Sequence, residues 1–81
     1  MSKIIYEKCA DLMFWIVENK TNTMPANVFA NICEQYIDEV LEELHSHSSI
    51  FFSTDKTIWS IKNEDAKMLF TYYSDKVNRI L

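Results

Sequence analysis

The sequence predicts a mainly α (α+β) domain, made of three helices, a β-hairpin and a C-terminal helix. Apolar residues recur at helical spacing in four segments, which predicts the four helices. The ribbon IFFSTDKTIWSI at residues 50–61 has instead the composition of two short strands around a turn. The 81 residues contain no linker, repeat or low-complexity tract, so residues 1–81 are predicted to form a single domain.

The first helix is predicted over residues 3–19. One apolar stripe runs along it: Ile5, Cys9, Leu12, Met13 and Ile16. Three further residues, Phe14, Trp15 and Val17, make the second half of this helix apolar almost all round. We therefore expect the first helix to be central in the fold, or to have a second face that a partner covers.

The second and third helices are predicted to follow each other closely. Pro25 suits the first turn of the second helix, where its missing N–H has no intrahelical partner to lose. The apolar stripe of this helix is Val28, Phe29, Ile32, Cys33 and Tyr36. Asp38 is the predicted cap of the third helix, and His45 and His47 lie near its C-terminal end. Two short helices joined in this way resemble a helix-turn-helix without its usual turn glycine.

The hairpin and the last helix complete the chain. Thr57, Trp59 and Ile61 are expected to share one face of the second strand, because side chains alternate along a strand. Asn63 is predicted to cap the last helix. The apolar stripe of that helix is Ala66, Leu69, Phe70, Tyr73, Val77, Ile80 and Leu81. Since the chain has no glycine, any left-handed turn position is expected to use Asn, Asp, His or Lys.

The element order helix, helix, helix, hairpin, helix resembles the winged-helix family, in which the hairpin is the wing after a helix-turn-helix. Within that family, the opening MSKI, the VLEEL segment of the third helix and Trp59 are similar to the small Zα-type domains that bind left-handed nucleic acid. Those domains place Asn and Tyr on the third helix, where this chain has Asp38 and Glu42. They also carry a proline pair before the tryptophan, where this chain has Lys-Thr-Ile at 56–58.

Negative charge is concentrated around the third helix. Residues 34–44 contain five acids and no base, whereas the rest of the chain contains eight bases and seven acids. The five acids are Glu34, Asp38, Glu39, Glu42 and Glu43. A helix that reads DNA lies between phosphates, which bind Lys and Arg, so an acidic third helix argues against conventional DNA reading.

We therefore predict a regulatory or interaction module that docks a protein partner, of basic character, through these five carboxylates. A nucleic-acid mimic is a related interpretation. The structural alternative is a solvated helix face whose acids lie favourably towards the positive end of the helix dipole.

A second functional hypothesis is a nucleic-acid-binding regulator, either transcriptional or Zα-like. It would use the hairpin and the last helix through Lys56, Trp59, Lys62, Lys67, Lys76 and Arg79. Phe51, Phe52 and Trp59 have rings that can stack on bases. For Trp59 we nevertheless expect a position that closes the core.

Enzymatic activity and cofactors are not expected. The chain has neither a nucleophile-elbow pattern nor a glycine-rich phosphate loop. His45 and His47 do not share a face of a helix, and Cys9 and Cys33 lack the paired spacing of metal ligands, so no metal site is predicted.

The chain is expected to be intracellular. Cys9 and Cys33 fit small buried thiols in a reducing compartment, and charged residues interrupt the N-terminal apolar positions, so no secretory leader is expected. The longest apolar run, residues 12–17, is too short for a membrane span.

Seven lysines against one arginine, with nine isoleucines, are typical of an AT-rich genome such as that of a virus or phage. An exposed apolar surface would also allow a homodimer.

Overall fold

The computed structural model describes residues 3–47 and 49–79, and it confirms the mainly α (α+β) architecture. Within these residues the chain forms four α-helices and one two-stranded antiparallel sheet. The elements are, in chain order, α1 (Lys3–Glu18), α2 (Ala26–Cys33), a 3-10 turn (Glu34–Tyr36), α3 (Ile37–Leu44), β1 (Phe51–Phe52), β2 (Ile58–Ser60) and α4 (Asn63–Arg79). This layout is compatible with a winged helix.

The core lies chiefly between α1 and α4, which pack more extensively against each other than any other pair of elements. Every residue of the stripe predicted for α1 is buried: Ile5, Cys9, Leu12, Met13 and Ile16. Trp15 and Val17 are partly buried, whereas Phe14 is half exposed and packs on Phe70 of α4, with ring centroids 5.6 Å apart. The first helix is therefore central, as predicted.

The stripe of α4 is also confirmed within the described residues. Three of its members are buried and two are partly buried: Ala66, Leu69 and Tyr73, then Phe70 and Val77. Ile80 and Leu81, predicted to continue this stripe, lie outside the described residues, as do Met1 and Ser2 of the opening MSKI.

The helix starts differ slightly from the predicted caps. Pro25 stands immediately before α2 as its N-cap, with an extended backbone. Asp38 lies inside the first turn of α3, because that helix already begins at Ile37. Asn63 is the first residue of α4 rather than its cap, and its Nδ2 donates to the carbonyl oxygen of Ile16 at 3.4 Å. Asn63 thus joins the start of α4 to the last turn of α1.

Lys20 terminates α1 in a left-handed conformation, with φ of 50°. Its N–H donates to the carbonyl of Val17 at 3.2 Å, and the N–H of Thr21 donates to the carbonyl of Ile16 at 3.3 Å. These two bonds form a Schellman motif, in which the left-handed position is normally a glycine. Because a Cβ atom is unfavourable there, Lys20 holds this turn at a cost in stability.

Replacing Lys20 with glycine is expected to raise the free energy of unfolding by about 0.5–1 kcal/mol. This net gain is the strain of the left-handed conformation that glycine relieves, minus the larger conformational entropy that glycine loses on folding. Lys20→Ala removes the same charge but keeps the Cβ atom, so we expect no gain from it. Urea denaturation of the three proteins checks this. A glycine variant no more stable than the alanine variant would show that Lys20 is not strained.

The junction of α2 and α3 contains a second unusual residue. Glu34 has φ of 55° and ψ of −125°, a combination that glycine adopts far more readily than glutamate. Lys20 and Lys56 confirm the prediction that lysine fills left-handed positions, but for Glu34 that prediction is wrong. The side chain of Glu34 forms an ion pair with Lys8 of α1, which holds the junction against the first helix.

The hairpin contains a β-bulge. Phe51 pairs with Ser60 and Phe52 pairs with Ile58, so one step along β1 matches two steps along β2. Trp59 is the extra residue between these two pairs. A bulge of this kind breaks the strict alternation of side chains and redirects the residue that it contains.

The predicted shared face of Thr57, Trp59 and Ile61 is wrong for this reason. Ile58 and Ile61 are buried, whereas the side chain of Trp59 is 48% exposed. The bulge lies between Ile58 and Ser60, and Ile61 follows the end of β2. The two isoleucines therefore both reach the core, although they are three residues apart.

Besides its buried isoleucines, a backbone hydrogen bond and the ring of Phe52 attach the hairpin to the rest of the chain. The N–H of Met24, in the connection between α1 and α2, donates to the carbonyl of Ile58 at 2.7 Å. The ring of Phe52 packs edge-on against Phe29 of α2 and against His45, with centroid distances of 6.0 Å and 5.0 Å. An isolated hairpin is marginal in water, so these contacts fix its position.

Candidate functional site

Three of the five predicted carboxylates form a continuous exposed surface on α3. Asp38, Glu39 and Glu42 are all exposed, and their spacing of three and four residues places them side by side on the helix. None of the three forms an ion pair with another described residue. We call Asp38, Glu39 and Glu42 the acidic face.

The acidic face exists because the opposite side of α3 is apolar. Val40 and Leu44 are fully buried and hold the helix against the core. Asp38 and Glu39 lie in the first turn, where the helix dipole stabilises negative charge. The same two acids therefore have a structural role that does not require a partner.

Glu43 does not belong to the acidic face. Its Oε2 accepts a hydrogen bond from the hydroxyl of Tyr73 at 3.0 Å and lies 3.9 Å from Nε2 of His47. Its side chain is only 16% exposed. Glu43 thus joins α3 to α4 inside the molecule and is not available to a partner.

Glu34 is also separate from the acidic face. It lies in the 3-10 turn before α3, and its carboxylate is paired with Lys8. The hydrogen bond to Glu34 is the main cause that raises the pKa of Lys8 above its ordinary value. The structure therefore brings together three of the five predicted acids, while Glu43 is paired in the interior and Glu34 is paired with Lys8 at the surface.

An aromatic pair occupies the outer side of the hairpin. Phe51 and Trp59 meet edge to face, with ring centroids 5.3 Å apart, and their side chains are 60% and 48% exposed. The prediction that Trp59 closes the core is therefore wrong, because the bulge at Trp59 turns its ring outward. We call Phe51 and Trp59 the hairpin aromatic pair.

Three of the predicted nucleic-acid-binding lysines are exposed. Lys56 lies in the hairpin turn with φ of 65°, Lys62 lies between β2 and α4, and Lys67 lies on α4. None of these lysines forms an ion pair with a residue in the described ranges. Lys56 and Lys62 are the two that belong to the hairpin and its exit.

The remaining two bases are engaged within α4. Nζ of Lys76 lies 5.4 Å from the ring centroid of Tyr72, a cation–π distance. Nη2 of Arg79 lies 2.9 Å from Oδ2 of Asp75, one helical turn earlier. Asp75 offsets the charge of Arg79, whereas the contact with Tyr72 leaves the charge of Lys76 in place, so one of the five predicted bases is paired with an acid.

Cys9 and Cys33 are free, fully buried thiols, as predicted. Burial raises the pKa of the Cys33 thiol to about 12, and burial also raises the pKa of the Cys9 thiol. A neutral, inaccessible thiol is a poor nucleophile and a poor metal ligand. Both cysteines therefore act as small core residues.

The histidines take part in aromatic packing. His45 caps the C-terminal end of α3, and His47 packs edge-on against Tyr72 and Tyr73, with centroid distances of 5.8 Å to both rings. Among the residues that the structure describes, no group of three or more His, Cys, Asp or Glu side chains is arranged to hold a metal ion.

Comparison with known proteins gives no match to a family model, a curated protein or a solved structure. The winged-helix resemblance therefore still depends on the order of the elements. Across residues 3–47 and 49–79, no helix combines the length and apolar character needed to span a membrane.

Proposed function

We propose that this chain is a non-enzymatic, winged-helix-like regulatory module that docks a basic protein partner through the acidic face of α3. The observation that carries this proposal is the exposure of Asp38, Glu39 and Glu42 side by side, without a cation from the described chain to neutralise them. The buried free thiols of Cys9 and Cys33 support an intracellular location.

Charge placement favours a protein over a nucleic acid at this face. Three uncompensated carboxylates repel phosphates and attract Lys and Arg side chains. Complementary charge of this kind increases the association rate and discriminates between partners. A nucleic acid that approached α3 would meet the most negative part of the chain.

Neutralising the acidic face is therefore expected to abolish partner binding. The triple variant Asp38→Asn, Glu39→Gln, Glu42→Gln keeps the size and polarity of each side chain and removes only the charge. Purified wild-type and variant domains are immobilised and used to capture proteins, which are identified by mass spectrometry. We expect at least one basic protein to bind the wild type and not the triple variant.

The matched control is Glu18→Gln, Glu64→Gln, Asp65→Asn, which removes the same charge from other elements. Glu64 and Asp65 lie in the first turn of α4, as Asp38 and Glu39 lie in the first turn of α3, so both variants lose similar dipole stabilisation. A partner retained by the control and lost by the triple variant supports the proposal. A partner retained equally by both variants would contradict it.

The hairpin aromatic pair favours a second candidate function, the binding of nucleic acid. Phe51 and Trp59 present ring surface to solvent, and Lys56 and Lys62 lie on the same hairpin and its exit. Stacking of a base on an exposed ring contributes about 1–3 kcal/mol, and nearby lysines attract the backbone. The net charge of −4 opposes this function.

A binding titration separates the two candidates. Labelled duplex DNA, RNA and a left-handed duplex are titrated at low and moderate salt, and docking through α3 predicts no binding at micromolar protein. Binding that weakens steeply with salt, and is lost in Lys56→Gln, Lys62→Gln or in Trp59→Ala, would replace the protein-docking proposal by the second candidate.

A further inference from the structure

A small groove lies between α1 and α4, on elements that the acidic face does not use. It encloses about 230 Å³ and is open to solvent. Ala10, Phe70 and Val77 give it an apolar lining. Sites for drug-sized ligands usually exceed about 300 Å³, so this groove fits a single long side chain better than a whole small molecule.

Four polar side chains complete the lining of the groove. Glu7 and Asp11 lie one turn apart on α1, and Ser74 and Asn78 lie one turn apart on α4. Within the described ranges, none of these four side chains takes part in a hydrogen bond or an ion pair. They are therefore available to a ligand.

The lining of the groove contains two acidic side chains, Glu7 and Asp11, and no basic one. Lys8, the nearest base in sequence, is paired with Glu34. Asp11 is exposed, but the neighbouring side chains remove part of the hydration of its carboxyl, and this raises its pKa above the ordinary value. The charge of Lys8 opposes this rise, and the charge of Glu7 adds to it. A carboxylate that has lost part of its hydration gains more from a cation than a fully hydrated one does.

We propose that this groove receives the side chain of an arginine carried by a partner polypeptide. The guanidinium contacts the Glu7 and Asp11 carboxylates, and its methylene stem lies along the apolar lining. Arginine fits better than lysine because its planar head pairs with carboxylates through two parallel bonds and stacks on aromatic rings. The oxygens of Ser74 and Asn78 supply acceptors for the remaining N–H groups.

Phe70 strengthens the choice of a cation. It lines the groove, and its ring packs against half-exposed Phe14. The two rings together form an aromatic surface that includes a residue of α1 and a residue of α4. A guanidinium near an aromatic face is stabilised by the ring quadrupole. This proposal does not depend on the acidic face, since α3 contributes no residue to the groove.

The probe for this proposal is Nα-acetyl-arginine methylamide, titrated into the ¹⁵N-labelled domain and followed by two-dimensional NMR. We expect the amide signals of Ala10, Phe70, Ser74 and Val77 to shift in a saturable manner. The citrulline analogue has nearly the same shape without the charge, and we expect it to bind at least about tenfold more weakly. Equal shifts with both probes, or arginine shifts spread over the whole surface, would overturn the proposal.

Two variants locate the effect. Glu7→Gln, Asp11→Asn should remove the arginine-dependent shifts, and Asn78→Lys, at an exposed position, should block the groove with a competing ammonium group. The triple variant of the acidic face should retain the shifts, which separates a failure of this proposal from a failure of docking through α3. Shifts that persist in both groove variants would overturn the assignment.

Discussion

Raising the pH from about 8 to about 11 is expected to remove about 5–7 kcal/mol from the free energy of unfolding. Cys9, Cys33 and Tyr73 are fully buried, and burial is the main cause that raises the pKa of each above its ordinary value. The charges of Cys9 and Glu43 further oppose ionisation of Tyr73. A domain of this size has only about 5–15 kcal/mol of stability, so we expect it to unfold in this range.

The direction of this change follows from proton linkage. A group whose pKa is raised by folding keeps its proton in the folded state and loses it in the unfolded state as the pH rises. Its contribution is complete below its ordinary pKa, 9.0 for the thiols and 10.0 for the tyrosine, and it falls above that value. Between its ordinary pKa and its raised pKa, each such group lowers the free energy of unfolding by about 1.4 kcal/mol per pH unit.

Urea denaturation at pH values between 8 and 11 measures this loss. Cys9→Ala, Cys33→Ala should reduce the loss of stability from about pH 9 upwards, and Tyr73→Phe should reduce it only above about pH 10. The interval between about pH 9 and 10 therefore reports the thiols alone. Stability that stays constant up to pH 11 in the wild type would show that these groups ionise freely and are not buried as described.

Phe29→Ala is expected to lower the free energy of unfolding by about 3–5 kcal/mol, because it leaves a cavity at a fully packed position. Phe29 is 1% exposed and is the largest buried side chain of α2. Its ring also supports Phe52 of the hairpin. The loss is therefore expected to loosen the hairpin as well as α2.

Thermal denaturation gives the stability change, and the NMR signals of residues 51–60 report the hairpin. Phe51→Ala is the matched control, since it removes the same ring from the exposed side of β1. We expect this control to cost less than about 1 kcal/mol. Equal destabilisation by both changes would mean that the two phenylalanines do not differ in burial.

The helices were predictable because their apolar positions repeat at a regular interval. In α1 and α4 the apolar stripe is long, and nearly every described residue of the stripe is buried or partly buried. The third helix was predictable as an element. The sequence did not, however, show which of its acids are exposed and which are paired inside the molecule. Glu43 differs from Glu42 only in facing Tyr73, a residue thirty positions away on α4.

Three features depend on geometry that a sequence pattern does not contain. The bulge at Trp59 changes the register by one residue, and this reverses which hairpin side chains face the core. The positive φ of Glu34 results from the close junction of α2 and α3 in a chain without glycine. The groove between α1 and α4 likewise requires two helices that are separated by more than forty residues.

The surfaces that these features create are distinct in chemistry. The acidic face is polar and charged, whereas the hairpin aromatic pair is apolar and has lysines nearby. The bulge moves Trp59 from the core to the surface, which gives the second candidate function its physical support. The charge of α3 is the reason why we propose a protein partner rather than a nucleic acid.

The most direct test of docking through α3 is the association rate constant of the captured partner, measured by stopped flow at several salt concentrations. The proposal predicts that the rate constant falls as salt rises, because steering by the acidic face is screened. The variant Asp38→Asn, Glu39→Gln, Glu42→Gln should bind slowly and nearly independently of salt, whereas Glu18→Gln, Glu64→Gln, Asp65→Asn should resemble the wild type. A rate constant that is independent of salt, or equal in the two variants, would contradict the proposed function.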